Sequence, residues 1–438
     1  MVRDMKIVGG KWSNWSGGVT CKPKEIVAPK DDVALAAAVR TAEGTVRVPG
    51  SGHSFTPICD SDGTLIDMAA FAGLKSVDEA AQIATMGAAT PLWQAGPLLH
   101  AAGFGFKNMG DIDRQTLGGV VGTGTHGTGA TLGSFSADVA GFQLLLASGE
   151  VLNCTPQDNT EIFEAGRMSL GSMGVMTEIS MHVRPAYKLV EKNFMLPVDE
   201  LFTQLDELVA KNRHFEFFWF PYANRAICKT LNETTDDAPN VRSAEDMFAR
   251  GEGGGADMAL FTWLNEILPY APFLLRPIHK LFSQFMAAPP RVRWSNEAFP
   301  SPRNVRFNEM EYAVPIEKGP DCIREVVETI RKKKINTGFP IEYRTVAADD
   351  VWLSPFYKRP SATIAVHQYN KVDTTKLFSA AETIFRKYEG RPHWGKRNTR
   401  SAKEFSALYP EFERFRLLRR KLDPESKFLN AYLRSIFD

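Results

Sequence analysis

Val46-Arg-Val-Pro-Gly-Ser-Gly-His-Ser54 and Thr116-Leu-Gly-Gly-Val-Val-Gly-Thr-Gly-Thr-His-Gly-Thr-Gly129 decide how this chain is read. Both stretches are rich in small residues, and both follow strand-like runs. Without a Cβ, such a backbone can turn through positive φ and press its N–H groups against phosphate oxygens, with hydroxyls alongside. One such loop is as readily a tight turn as a site. Two in one chain point to the diphosphate of a nucleotide cofactor. The second stretch also satisfies G-x-G-x-x-G at Gly122, Gly124 and Gly127. A dinucleotide-binding βαβ unit needs a helix opening inside that pattern and an acidic residue about 20 positions later. Here more glycines follow, apolar periodicity is missing and Asp138 comes too early. The Rossmann reading is therefore set aside.

Outward from the loops, residues 1–185 are dense in glycine and β-branched side chains. Apolar runs at 45–48, 64–66, 83–86, 139–147 and 175–183, each bounded by turn residues, predict strands. Apolar residues at helical spacing predict helices over 31–42 and 91–102. Past 185 the texture changes to an aromatic run at 215–220, a glycine break at 251–255 and helical patterns over 323–334 and 412–421. The fold class expected is α+β, with a first domain over 1–185, a second over 186–400 and a helical segment, 401–438, packing back on the first.

Composition removes several function classes. Basic and acidic residues number 52 and 51, a net charge of +1 that offers no field for nucleic acid or an anionic membrane. The five cysteines are scattered and odd in number, which argues against a disulfide framework or a zinc site and for a reducing cytoplasm. No metal is expected. The N-terminus lacks the apolar core of a signal peptide. Residues 259–285 are the most apolar stretch, but Asn265, Glu266, Pro269, Pro272 and Pro277 break it. It falls short of the roughly 18 consecutive apolar residues that span a bilayer. An interior segment of the second domain is the favoured reading over a membrane surface or a domain interface.

His53 stands in a loop of otherwise small residues. From the residues alone it is an ordinary loop histidine or a nucleophile toward an activated flavin methyl group. The loop resembles the covalent-flavin loop of the vanillyl-alcohol-oxidase flavoproteins, and within them that of the sugar-lactone and alditol oxidases. Further motifs are similar in order: 116–129 to the family's second FAD loop, Ala147-Ser-Gly-Glu-Val-Leu152 to its hairpin, and Phe215-Glu-Phe-Phe-Trp-Phe-Pro221 to a cap-domain strand. Ile341-Glu-Tyr-Arg344 with Asp349-Asp-Val-Trp-Leu-Ser-Pro355 is similar to its active-site strand, and Arg391-Pro-His-Trp-Gly-Lys396 to its C-terminal signature. The least family-like part is about 225–300.

This resemblance implies a PCMH-type FAD-binding domain and a substrate (cap) domain with an antiparallel sheet. It implies FAD joined through its 8α-methyl group to His53. Gly50, Ser51, Gly52, Ser54, Thr116, Gly119, Thr123, Gly124, Thr125, His126, Val175 and His393 are then the expected cofactor contacts. The implied substrate is a sugar lactone on the way to ascorbate or an analogue, with a polyol as the alternative. The implied acceptor is O2, because Gly110 aligns with the small residue beside the flavin, where the plant dehydrogenases carry an alanine. A dehydrogenase using cytochrome or quinone, and a non-catalytic flavin module, are the competing readings. Asp111 departs from the serine or alanine of the family and is read as a cofactor or substrate contact.

Read as a strand, residues 340–346 put Glu342 and Arg344 on one face and Tyr343 on the other. Alcohol oxidation needs a carboxylate for the hydroxyl proton and a fixed cation for developing negative charge. Glu342 is assigned to proton handling or hydroxyl binding, and Arg344 to charge stabilisation. By resemblance Lys396 reaches the substrate. His367 and Tyr369 share a face of the strand over 362–369 and are expected at the substrate or in the core.

Overall fold

Alternation along the strands sorts the side chains into cores and into one charged surface. The computed structural model describes residues 6–252, 256–285, 288–301 and 305–438. A small parallel sheet, in the order Glu25–Val27, Thr64–Ile66, Val46–Arg47, delivers the chain into the first small-residue loop. Buried Arg47 ties that loop down by donating to the carbonyls of Ile58, Leu170, Gly171 and Phe428 at 2.6–2.8 Å.

A second, antiparallel sheet runs in the order Val151–Cys154, Val139–Leu145, Val175–Pro185, Ile83–Gly87, Leu74–Asp78. Alternate residues of Val175–Pro185 are buried, as a strand with one covered face requires. Ile179, Met181 and Val183 share a core with Leu99 of helix Leu92–Ala101 and with Leu117, Val120 and Val121 of helix Leu117–Thr123. Phe405, Phe412, Phe415, Leu433 and Phe437 from the three C-terminal helices enter the same core.

The third sheet positions the chemistry. Its eight strands run antiparallel in the order Ala288–Trp294, Lys188–Pro197, Arg225–Thr234, His214–Trp219, Ile341–Val346, Ser361–Tyr369, Phe307–Pro315, Arg391–Pro392. One face is apolar: Phe217, Tyr343, Ile364 and Tyr312 pack with residues of helices Val198–Lys211, Gly319–Lys332 and Thr375–Lys387. The other face carries Lys229, Glu216, Arg344, Glu342, Glu311, Glu309 and His367. It is pressed against the end of the second small-residue stretch: Gly129 N donates to Thr345 O at 2.8 Å and Thr128 Oγ1 to Phe215 O at 2.5 Å.

Two expectations are corrected. Residues 117–123 form a helix, because Leu117, Val120 and Val121 keep helical spacing and are buried, a pattern hidden by the glycines. It ends at Gly124, whose φ of +73° is the left-handed cap conformation. The G-x-G-x-x-G pattern thus closes a helix instead of opening one. The second correction concerns 259–285. Its prolines and polar residues break it into helices Ala256–Ile267 and Leu275–Phe285, each with one packed face. Phe261 meets Phe339 at 5.4 Å and Phe282 meets Phe220 at 5.6 Å, whereas Trp263, Tyr270 and Phe273 are 59–88% exposed. The segment is interior on one side only. Among the described residues no helix is long and apolar enough to cross a membrane.

Candidate active site

The two small-residue stretches meet. A Cβ on Gly50 would stand 2.3 Å from Thr116 Oγ1, so the backbone approach there needs glycine. Beside this contact runs a cavity of about 660 Å³, well within the range of cofactor sites. Gly50, Ser51, Gly52, His53 and Ser54 wall one side; Thr116, Gly119, Gly122 and Thr123 wall another, and Val175 lines it as well. Gly118 and Gly122, four apart, lie on one face of helix Leu117–Thr123. A Cβ on Gly122 would meet nothing within 4 Å. A cavity of this size with bare backbone along its wall suits a dinucleotide.

His53 also borders a smaller cavity that it shares with Trp15, Gln115, Thr123, His393 and Lys396. Trp15 stacks on the His53 imidazole, centroids 5.6 Å apart, and its backbone N–H donates to Gly52 O at 2.8 Å. The imidazole is therefore shared by the two cavities, the smaller of which His393 and Lys396 also line.

The charged sheet face supplies two clusters. In the first, buried Arg344 donates through Nε to Glu216 Oε2 at 2.7 Å, pairs with Glu342, and has Nη2 3.2 Å from Asp111 Oδ2. Lys229 Nζ lies 3.0 Å from Glu216 Oε1. Three carboxylates thus face two cations. The imbalance falls on Glu342: burial, and the nearby Asp111 and Glu216 carboxylates, outweigh Arg344 and push its pKa up to about 7. Despite its own burial, Arg344 is held protonated by Glu342, Glu216 and Asp111.

In the second cluster, Glu309 pairs with Lys396 and has Oε1 3.5 Å from His367 Nε2. Burial opposes its ionisation, yet Lys396 and His367 hold it well below the usual carboxylate range. Glu311 lies 2.6 Å from His126 Nε2, while His126 Nδ1 is 2.8 Å from Gly127 O. Both nitrogens of that ring face oxygens. His393 is buried and its pKa is pushed down to about 3, chiefly by desolvation, so its Nδ1 accepts from Gly395 N at 3.0 Å.

Most residues singled out from sequence converge, with clear exceptions. Glu342 and Asp111 both touch Arg344, whereas Lys396 and His367 belong to the neighbouring Glu309 cluster. Tyr369 belongs to a satellite core with Phe307 and Phe339 and donates its hydroxyl to Glu266. Gly124 lies against Met168, where a Cβ would come within 2.6 Å of Cε. Thr125 accepts from Gln115 Nε2 at 3.3 Å, and Gly110 lies under the His126 carbonyl, 3.2 Å from where its Cβ would be. Glu216, Lys229, Glu309 and Glu311 were not singled out. A lone Glu amid Phe215-Glu-Phe-Phe-Trp, and the alternation Glu309-Met-Glu311, were the available signals.

Residues 179–436 match the family model described as D-arabinono-1,4-lactone oxidase, and residues 23–155 match that of an FAD binding domain. The chain belongs to the D-arabinono-1,4-lactone oxidase family. It is 35% identical over 429 residues to an L-gulono-1,4-lactone dehydrogenase of Mycobacterium tuberculosis, covering 97% of this chain and 98% of that one. An L-gulonolactone oxidase of Bos taurus is 30% identical over 98% of each chain. An alditol oxidase of a Streptomyces species is 28% identical over 97% of this chain and 99% of its own. The fold is shared with a solved cholesterol oxidase of B. sterolicum at TM-score 0.80 and 16% identity, over 99% and 98% of the two chains. The α+β class with an FAD-binding domain and an antiparallel cap sheet stands on these matches.

Proposed function

We propose that this family member is an FAD-dependent oxidase of a sugar-derived alcohol, foremost an aldono-1,4-lactone, with FAD joined to His53 and O2 as the acceptor. The observation that carries the reading is the Glu342–Arg344 pair, buried on a sheet face against the domain that holds the cofactor cavity. When bound, FAD supplies a two-electron sink for the hydride leaving the substrate carbon. The chain's own residues handle the rest. Glu342, ionised, takes the hydroxyl proton. Arg344 stabilises negative charge on that oxygen as the proton leaves. Lys396, on the His53 side, is the second cation and orients the substrate. His53, Gly50, Ser51, Gly52, Ser54, Thr116, Gly119, Thr123 and Val175 are proposed to hold the cofactor, with His393 at its ring end. Gly110 leaves room for oxygen, and Asp111 tunes the hydroxyl pattern accepted.

A panel of L-gulono-, L-galactono- and D-arabinono-1,4-lactone with xylitol and sorbitol tests the reading. At least one lactone is expected to be turned over with release of hydrogen peroxide, faster than either polyol. Because Glu342 must be unprotonated to accept, kcat/KM should rise with pH through an apparent value near 7 and level off above it. Turnover of none of the five compounds, or a profile flat from pH 5 to 9, contradicts the proposal.

A further inference from the structure

The charged face of the third sheet holds a row of side chains that the assigned chemistry does not use. Lys229 is the register partner of Glu216, and Glu216 is the register partner of Arg344. Three neighbouring strands therefore place a cation, an anion and a cation side by side, all pointing to the same face. Glu216 spends one oxygen on each neighbour: Oε1 on Lys229 Nζ at 3.0 Å and Oε2 on Arg344 Nε at 2.7 Å. Its side chain is 7% exposed, so a carboxylate there persists only because both sides are paired.

The geometry assigns Glu216, itself held by Lys229, as the positioning residue that aims Arg344 at Glu342. The guanidinium is a rigid fork, so fixing Nε fixes the plane in which its other nitrogens lie. With Nε on Glu216, Nη2 is directed between Glu342 and Asp111. Lys229 keeps Glu216 from turning wholly onto Arg344 and offsets its charge. The groups that face Glu342 are Arg344 from its own strand, Asp111 from the loop, Glu216 from the strand on one side and His367 from the strand on the other. Glu216 is anchored from outside the site by Lys229, so the brace also sets how much negative charge Glu342 feels. Consistent with this, burial opposes ionisation of both brace members, yet each is held charged by the other.

The inference rests on Glu342 and Arg344 being the acid–base pair of the proposed reaction, but its test does not need turnover. The carboxylic acid of Glu342 gives a carbonyl stretch in the infrared, assigned by its absence in Glu342→Gln, whose pH midpoint is read in the substrate-free holoenzyme. Glu216→Gln keeps an oxygen to accept from Arg344 Nε but removes a like charge, and should move that midpoint down by roughly one pH unit. Lys229→Met removes an opposing charge and should move it up. A role in packing alone would shift both variants in the same direction or neither, and either result overturns the assignment. Should a single variant fail to fold, the double variant Glu216→Leu/Lys229→Met removes both charges and the acceptor of Arg344 Nε together. Its kcat/KM on the best substrate of the panel should still fall on the order of 100-fold, because Arg344 has lost its anchor; near-native turnover overturns the proposal. Failure of the whole panel with opposite infrared shifts would instead sink the substrate reading and leave the brace standing.

Discussion

Arg344→Met is expected to lower kcat/KM by roughly 100- to 1,000-fold, about 2.7–4 kcal/mol of transition-state stabilisation, the scale of a fixed donor lost from developing oxyanion charge. The structure adds a second consequence. Arg344 is the cation shared by Asp111, Glu216 and Glu342, and it is the chief group holding the Glu342 pKa down against burial. Its removal leaves the buried Glu216 and Glu342 and the partly buried Asp111, with Lys229 paired to Glu216. Glu342 then binds its proton more tightly, so the rising limb of the pH profile moves above 7. Loss of rate and an alkaline shift should appear together in steady-state kinetics over pH 6 to 9. An Arg344→Met enzyme with native rate, or a limb displaced to lower pH, contradicts the roles given to both residues.

Trp394→Ala is expected to cost about 3–5 kcal/mol of folding free energy, the range for truncating a buried aromatic. Trp394 is fully buried, stacked on Phe405 at 4.7 Å and Tyr409 at 5.3 Å, and donates through Nε1 to Leu353 O at 2.6 Å. It therefore joins the C-terminal helices to the turn that carries His393 and Lys396. The same turn is latched to the first loop, Thr56 Oγ1 donating to Trp394 O at 3.0 Å and Phe55 N to Gly395 O at 2.7 Å. Urea unfolding should show the loss, with Trp263→Ala, 59% exposed, as a control within about 0.5 kcal/mol of the native protein. Equal stabilities for the two variants would remove Trp394 from the joint.

How far the residues alone disclose this molecule depends on whether the signal is local. Period-two alternation sufficed to place Glu342 with Arg344 and Tyr343 opposite, and Tyr343 indeed stacks on Phe217 at 4.8 Å in the apolar layer. The strand at 175–183 and the helix at 31–42 were equally local: Asp31 caps the latter by accepting from Ala34 N at 2.8 Å. The helix Leu117–Thr123 was obscured because its glycines read as loop, although Leu117, Val120 and Val121 already had the right spacing. Glu216 and Lys229 were out of reach for a different reason. Glu216 lies 128 positions before Arg344, and its partnership is set by strand register, which no local pattern encodes. The chemistry of His53 rested on family resemblance; what the fold contributes is the meeting of its loop with Thr116.

The central claim is that the two small-residue stretches form one FAD cradle whose ring end is His53. It is tested most directly by the colour of the denatured protein. The purified holoenzyme is precipitated with acid, and flavin is followed in pellet and supernatant, beside His53→Ala prepared the same way. The native pellet should stay yellow, whereas His53→Ala should release its flavin to the supernatant. A native pellet that bleaches, or a His53→Ala pellet that keeps its colour, contradicts the attachment at this imidazole.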